Sequence, residues 1–171
     1  MLERLWNGWR ATYVASVPSP STEPGSGPQP SVFTQLLRSG LPDTDTHIVH
    51  RGELVFAIMN AYPYATAHLL VLPVREVAEL EHLTGAETTE LWATVTDAVV
   101  AVKTAYRPEG LNVGINLGRP AGGSVSQHLH VHVVPRWTGD GNFMTAIANT
   151  RTLPEPLVDT AVRVRAAWPR S

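Results

Sequence analysis

From Gln127 to Pro135 polar and apolar positions alternate, with His128, His130 and His132 at every second residue and Leu129, Val131 and Val133 between them. Successive side chains of a β-strand point to opposite faces, so this period predicts a strand over His128–Pro135 with three imidazoles on one face and an apolar anchor on the other. Further strands are expected at Ile48 to His50 and Leu54 to Asn60, turning at Arg51-Gly52-Glu53, and at His68 to Leu72 and Leu111 to Asn116. The period changes after residue 84. Leu91, Val95, Val99 and Val102 recur at helical spacing, Thr84-Gly85-Ala86-Glu87 has the spacing of a capping box, and Pro108 and Gly110 follow an expected end near Tyr106. A short helix is expected over Glu155 to Trp168, and an amphipathic helix over residues 2–14 presenting Leu2, Leu5, Trp6 and Trp9. Ser16 to Ser31 holds five prolines among Ser, Gly and Thr and reads as a flexible connector. The sum is an α+β fold: about five antiparallel strands, one long helix across a face and a C-terminal helix, in a single domain over residues 1–171.

Composition narrows the class. A chain of 171 residues, 43% apolar, suffices for one domain with a real core and is short for two. A formal charge of −2 argues against general nucleic-acid binding, which carries a basic excess. No apolar run approaches the roughly 20 residues that span a bilayer, and Met1-Leu2-Glu3-Arg4 does not open a signal peptide. The absence of cysteine excludes disulfides and suits a cytoplasmic protein.

A row of imidazoles supports two chemistries. Alternate strand positions can deliver neutral rings to one zinc ion, or one ring can attack an electrophilic phosphorus and form a covalent intermediate. Upstream lies Asn116-Leu117-Gly118-Arg119-Pro120-Ala121-Gly122-Gly123-Ser124, a Gly-rich turn able to bring backbone N–H groups against an anion, with an amide and a hydroxyl at its ends. Beside a nucleophile, such a turn supplies donors for developing negative charge.

Residues 128 to 134 fit the signature His-φ-His-φ-His-φ-φ, φ being apolar, and the chain here resembles the histidine triad (HIT) superfamily of nucleotide hydrolases and transferases. Asn60 to Pro73 resembles that family's nucleoside-binding hairpin, with Ala67 where the family usually has glycine. Arg4 to Arg10 and His132 to Phe143 are similar to bacterial members, especially actinobacterial diadenosine tetraphosphate phosphorylases. Many bacterial relatives hold a structural zinc through a Cys-x-x-Cys pair, a loop histidine and the first triad histidine; Ser31, Thr34 and Glu76 stand at the matching positions here. With those ligands replaced, the chain is expected to be metal-free, although a divalent ion such as Mg2+ can accompany a polyphosphate.

The resemblance implies that His130 attacks an α-phosphorus of a nucleoside polyphosphate and forms a nucleotidyl-histidine, with His132 donating to the phosphate and His128 and His68 supporting the geometry. It further implies phosphate contacts from Asn116, Gly123 and Ser124, a ribose contact from Asn60, and base contacts from Phe56, Ile58 and Leu69. Phosphorolysis of diadenosine tetraphosphate to ATP and ADP is the expected reaction, with inorganic phosphate as co-substrate. Dinucleoside polyphosphate hydrolysis and phosphoramidase activity are the alternatives. A metal-dependent hydrolase using the histidine row and an idle nucleotide-binding scaffold are the rivals, and a nucleic-acid-processing relative is weaker for want of a basic tract. The resemblance also implies a homodimer joined sheet to sheet, which would cover an exposed strand edge.

Overall fold

The expected strands form one antiparallel sheet in the computed structural model, which describes residues 29–141 and 154–169. The expected helix at 2–14 and most of the 16–31 connector lie outside the described residues. Five strands, β1 (Ile48–Arg51), β2 (Val55–Met59), β3 (Leu69–Pro73), β4 (Gly110–Ile115) and β5 (Val131–Arg136), pair in the order β1-β2-β3-β5-β4. Among the described residues four α-helices join them: α1 (Val32–Arg38), α2 (Asp43–Thr46), α3 (Gly85–Tyr106) and α4 (Leu157–Ala166).

Strand alternation divides the core in two. Ala57, Leu69, Val71, Val131 and Val133 point to one face and pack with Leu91, Ala98, Ala101 and Val102 of α3 and Val164 of α4. Ile48, Phe56, Ile58, Leu70 and Leu72 point to the other and are capped by Phe33, Leu36 and Leu37 of α1. Both faces are therefore dry, which explains why β2 and β3 read as nearly continuous apolar runs.

Two findings correct the expected boundaries. The β5 ladder starts at Val131, so His128 and His130 lie in the segment feeding the strand and only His132 belongs to it. Ser31, assigned to the flexible connector, is instead fully buried and caps α1 by accepting from the Thr34 N–H at 3.1 Å.

The long helix is fastened at its start. Thr84 and Glu87 form the reciprocal capping box, and the Glu87 carboxylate also receives Arg75 at 2.8 and 2.9 Å. The Arg75 guanidinium holds that carboxyl down at about 2. One turn later, Glu90 accepts the N–H groups of Leu54 and Val55 at 2.9 and 3.0 Å, tying the helix to the β1–β2 turn. Gly52 is required there, because a Cβ would collide with the Glu90 carboxylate and lie 2.9 Å from the Val55 carbonyl oxygen. At the other end of the chain, Arg165 donates to the carbonyl of Ile48 at 2.7 Å, and Trp168 stacks on His50 with ring centroids 4.8 Å apart. Thr84→Ala should lower unfolding free energy by about 1 kcal/mol, the usual cost of losing an N-cap, read as a shift in urea midpoint at constant slope.

Candidate active site

Four histidines converge at the junction of β3, β5 and the segment before β5, and their partners order the protons. His128 is fully buried, with Nε2 2.8 Å from the carbonyl oxygen of Pro73. A carbonyl only accepts, so Nε2 carries the proton and Nδ1 accepts from the Ser31 hydroxyl at 2.7 Å. His130 places Nδ1 2.8 Å from the carbonyl oxygen of His128, so its proton is on Nδ1 and its lone pair on Nε2. In the next pair, the Tyr64 N–H donates to His68 Nδ1 at 3.0 Å, which puts the His68 proton on Nε2. That proton is donated to His132 Nδ1 at 2.9 Å, leaving His132 with its own proton on Nε2. The site thus offers a lone pair on one ring and a donor on the next, with the His130 and His132 centroids 4.9 Å apart.

Burial keeps the His128, His130 and His132 rings neutral. It pushes His128 and His130 below the ordinary imidazole value, and burial together with the neighbouring His130 pushes His132 down to about 4. An uncharged His130 is the form that can act as a nucleophile at neutral pH.

The remaining expected residues divide by position. Asn116 is half-buried, with its side-chain amide 3.4 Å from His132 Nε2. Ser124 is exposed; Gly123 is buried where a Cβ would lie 3.1 Å from the Gly118 carbonyl oxygen, and its N–H donates to that oxygen at 3.3 Å. Asn60 works inside its own hairpin: Oδ1 accepts the Tyr62 N–H at 3.0 Å and Nδ2 lies 3.3 Å from His68 Nδ1. Ala67 holds φ at 62° in that hairpin, a left-handed conformation that disfavours a side chain, and its buried methyl group packs in the core. Phe56 and Ile58 share the histidine face yet are buried in the core beneath α1. Leu69 is on the opposite face, under α3, because it sits one residue out of phase with Leu70, the partner of His132; the structure does not bring it to the histidines.

Two residues of the site escaped the sequence reading. Phe33 of α1 packs its ring 5.5 Å from His130 and 5.8 Å from His128. No local pattern marked it. Tyr64 stacks nearly parallel to His132, centroids 5.9 Å apart, and lay within the Asn60–Pro73 segment already singled out. Beyond them a groove of about 480 Å³ runs along β4 and β5 past Gly114, Asn116, His132 and Arg136.

Neither metal reading fits the donors. The triad cannot chelate with three imidazoles, since both ring nitrogens of His128 and the Nδ1 atoms of His130 and His132 are already hydrogen-bonded. At the positions matched to a zinc site, Ser31, Thr34, Glu76 and His128 provide two hydroxyls, one carboxylate and one imidazole, bonded to one another. Structural zinc takes thiolate and imidazole ligands, and this set does not suit it.

The family model for the HIT domain matches residues 42–139. AP-4-A phosphorylase of Mycobacterium tuberculosis is 45% identical over 99% of this chain and 86% of its own length. Bis(5'-nucleosyl)-tetraphosphatase [asymmetrical] of Schizosaccharomyces pombe is 34% identical over 62% of this chain and 57% of its own length. Among solved structures, the ZN-bound histidine triad family protein from Mycobacterium smegmatis superposes with a TM-score of 0.65 at 25% identity, covering 80% of this chain and 91% of that one.

Burial of neutral histidine ties stability to pH. Folding lowers the pKa of His128, His130 and His132, so the unfolded chain binds more protons below about 6.5; stability is fully present above that pH and falls as pH drops toward about 4, the His132 value. Unfolding free energy measured by denaturant at pH 7.5, 6.5 and 5.5 should decline with a slope that His132→Asn reduces. An unchanged slope in that variant would refute the assignment to His132.

Proposed function

The chain belongs to the HIT domain family, and from that membership we propose that it transfers the nucleotidyl group of diadenosine tetraphosphate to inorganic phosphate through a nucleotidyl-histidine, yielding ATP and ADP. The observation that carries this reading is the state of His130, neutral, with its only proton given to the His128 carbonyl and its Nε2 lone pair unengaged by any hydrogen bond among the described residues.

In the first step Nε2 attacks the α-phosphorus in line. A P–N bond forms, the bond from that phosphorus to the bridging oxygen breaks, and ATP departs with the electron pair. The ring becomes cationic, and the His128 carbonyl that accepts its Nδ1 proton stabilises that charge. His132, a donor at Nε2, supports the phosphoryl oxygens. In the second step an oxygen of phosphate attacks the same phosphorus, the P–N bond breaks, and the lone pair returns to Nε2 as ADP forms.

Asn116, Gly123 and Ser124 are the groups assigned to the phosphates and then to the acceptor. The side-chain amide of Asn116 beside His132 and the exposed hydroxyl of Ser124 support that assignment. A positioned oxyanion outcompetes water when its effective molarity is high, and values of about 10⁵ M are attainable. The phosphorylase relative matches nearly the whole chain, whereas the tetraphosphatase relative matches 62% of it, which favours phosphate over water as acceptor. The same reading includes a divalent ion such as Mg2+ held by the polyphosphate rather than by the protein, a cytoplasmic location, and no nucleic-acid or membrane partner; no helix among the described residues is long and apolar enough to cross a membrane. It also includes a homodimer through the sheet, supported by the outer edge of β4, which among the described residues pairs only with β5 and exposes Val113.

With diadenosine tetraphosphate and phosphate the products should be ATP and ADP, and omitting phosphate should slow turnover at least tenfold, by the positioning argument above. AMP and ATP at an undiminished rate without phosphate would make the enzyme a hydrolase. His130→Asn should abolish turnover while nucleotide affinity stays within about tenfold, because it removes the nucleophile and few ground-state contacts. Retention of about a tenth of the activity or more would displace His130 from that role.

A further inference from the structure

Three side chains that the proposed reaction does not use converge on the histidine preceding the nucleophile. Ser31 and Thr34 come from the start of α1, Glu76 from the segment after β3, and His128 from the approach to β5. Ser31, Thr34 and His128 are all buried. The carboxylate of Glu76 accepts the Ser31 N–H at 2.9 Å and the Thr34 hydroxyl at 2.8 Å. With its proton committed there, Thr34 cannot donate elsewhere. Its N–H meets Ser31 Oγ at 3.1 Å, so the Ser31 proton is directed to His128 Nδ1, the closer acceptor at 2.7 Å. Burial raises the Glu76 carboxyl, yet the donors from Ser31 and Thr34 outweigh it and hold the group below the ordinary carboxylate value, so it stays an acceptor.

We propose that Ser31, Thr34 and Glu76 form a metal-free brace that holds His128 and, through its carbonyl, fixes the tautomer and position of the His130 ring. The inference rests on the reading of His130 as nucleophile and adds positioning residues to it. His128 is gripped at both ring nitrogens, by Ser31 on one side and the Pro73 carbonyl on the other, so its own carbonyl cannot swing away from His130 Nδ1. Phe33, between Ser31 and Thr34 in sequence, packs against both rings and belongs to the same helix. The grip occupies the very lone pair of His128 that a metal would need. Displacing a reacting group by about 1 Å can cost on the order of a hundredfold in rate.

The test compares Ser31→Ala, Thr34→Val and Thr34→Ser with the unaltered protein, using diadenosine tetraphosphate and phosphate. Ser31→Ala should lower kcat about tenfold to a hundredfold with KM within about twofold, as expected when a supporting contact and not a substrate contact is lost. Thr34→Val keeps the shape and loses the hydroxyl; it should lower kcat in the same sense, and Thr34→Ser should restore it. Nitrogen NMR of the His130 ring supplies a readout independent of rate: one Nδ1–H tautomer in the unaltered protein, and a mixture in Ser31→Ala and Thr34→Val. If Ser31→Ala fails to fold, the Thr34 pair carries the same comparison. Unchanged kcat per folded molecule with a single tautomer in the variants overturns the brace. So does stoichiometric zinc in the purified protein whose removal by chelator abolishes activity. If the unaltered protein turns over no diadenosine tetraphosphate, the functional reading fails separately, and the tautomer comparison still decides the brace.

Discussion

A buried imidazole must satisfy two ring nitrogens with one proton, and that constraint organises everything around the histidine row. Water is excluded from His128, so each nitrogen needs a protein partner of the right kind, a hydroxyl on one side and a carbonyl on the other. Each choice fixes the next: the carbonyl of His128 takes the proton of His130, and the backbone N–H of Tyr64 sets His68, which sets His132. The chemistry follows from proton placement as much as from residue identity. Three histidines at the same spacing with one partner changed would present a different set of donors and lone pairs.

The fold was largely legible because its signals are periodic. Alternation marked the histidine strand, and Thr84 with Glu87 marked the start of the long helix to the residue. Legibility ended where partners are distant in sequence. Alternation put His128 and His130 in a strand, but pairing to β3 extends only to Val131, opposite Val71, and a ladder needs a neighbour that composition cannot name. Proline-rich surroundings made Ser31 look loose. Its burial depends on Glu76 and His128, 45 and 97 residues away.

The same reasoning separates the candidate residues. The central rings could be picked out because their chemistry and spacing coincide in nine residues. Leu69 was misplaced by neglecting phase, since a strand buried on both faces gives no polar residues to tell the faces apart. Asn60 stood out through the likeness of residues 60–73 to a nucleoside-binding hairpin, and the structure adds that its side chain meets Tyr62 and His68. Those contacts help explain how Ala67 tolerates a left-handed backbone: the hairpin is held from several sides, so a local cost of about 1 kcal/mol is absorbed.

The attachment of the C-terminal helix reaches across nearly the whole described chain, from Arg165 to the carbonyls of Asp43 and Ile48 and from Trp168 to His50. During synthesis the first strand leaves the ribosome more than a hundred residues before the helix that covers it, a separation of 117 residues for the Arg165–Ile48 bond. Local elements such as the α3 helix need no such closure, whereas this contact has to bring together residues 117 apart in sequence. The nascent chain therefore carries an incompletely covered β1 until α4 has emerged. Truncation before α4 would leave it in that state, with the edge strand β1 open to other chains.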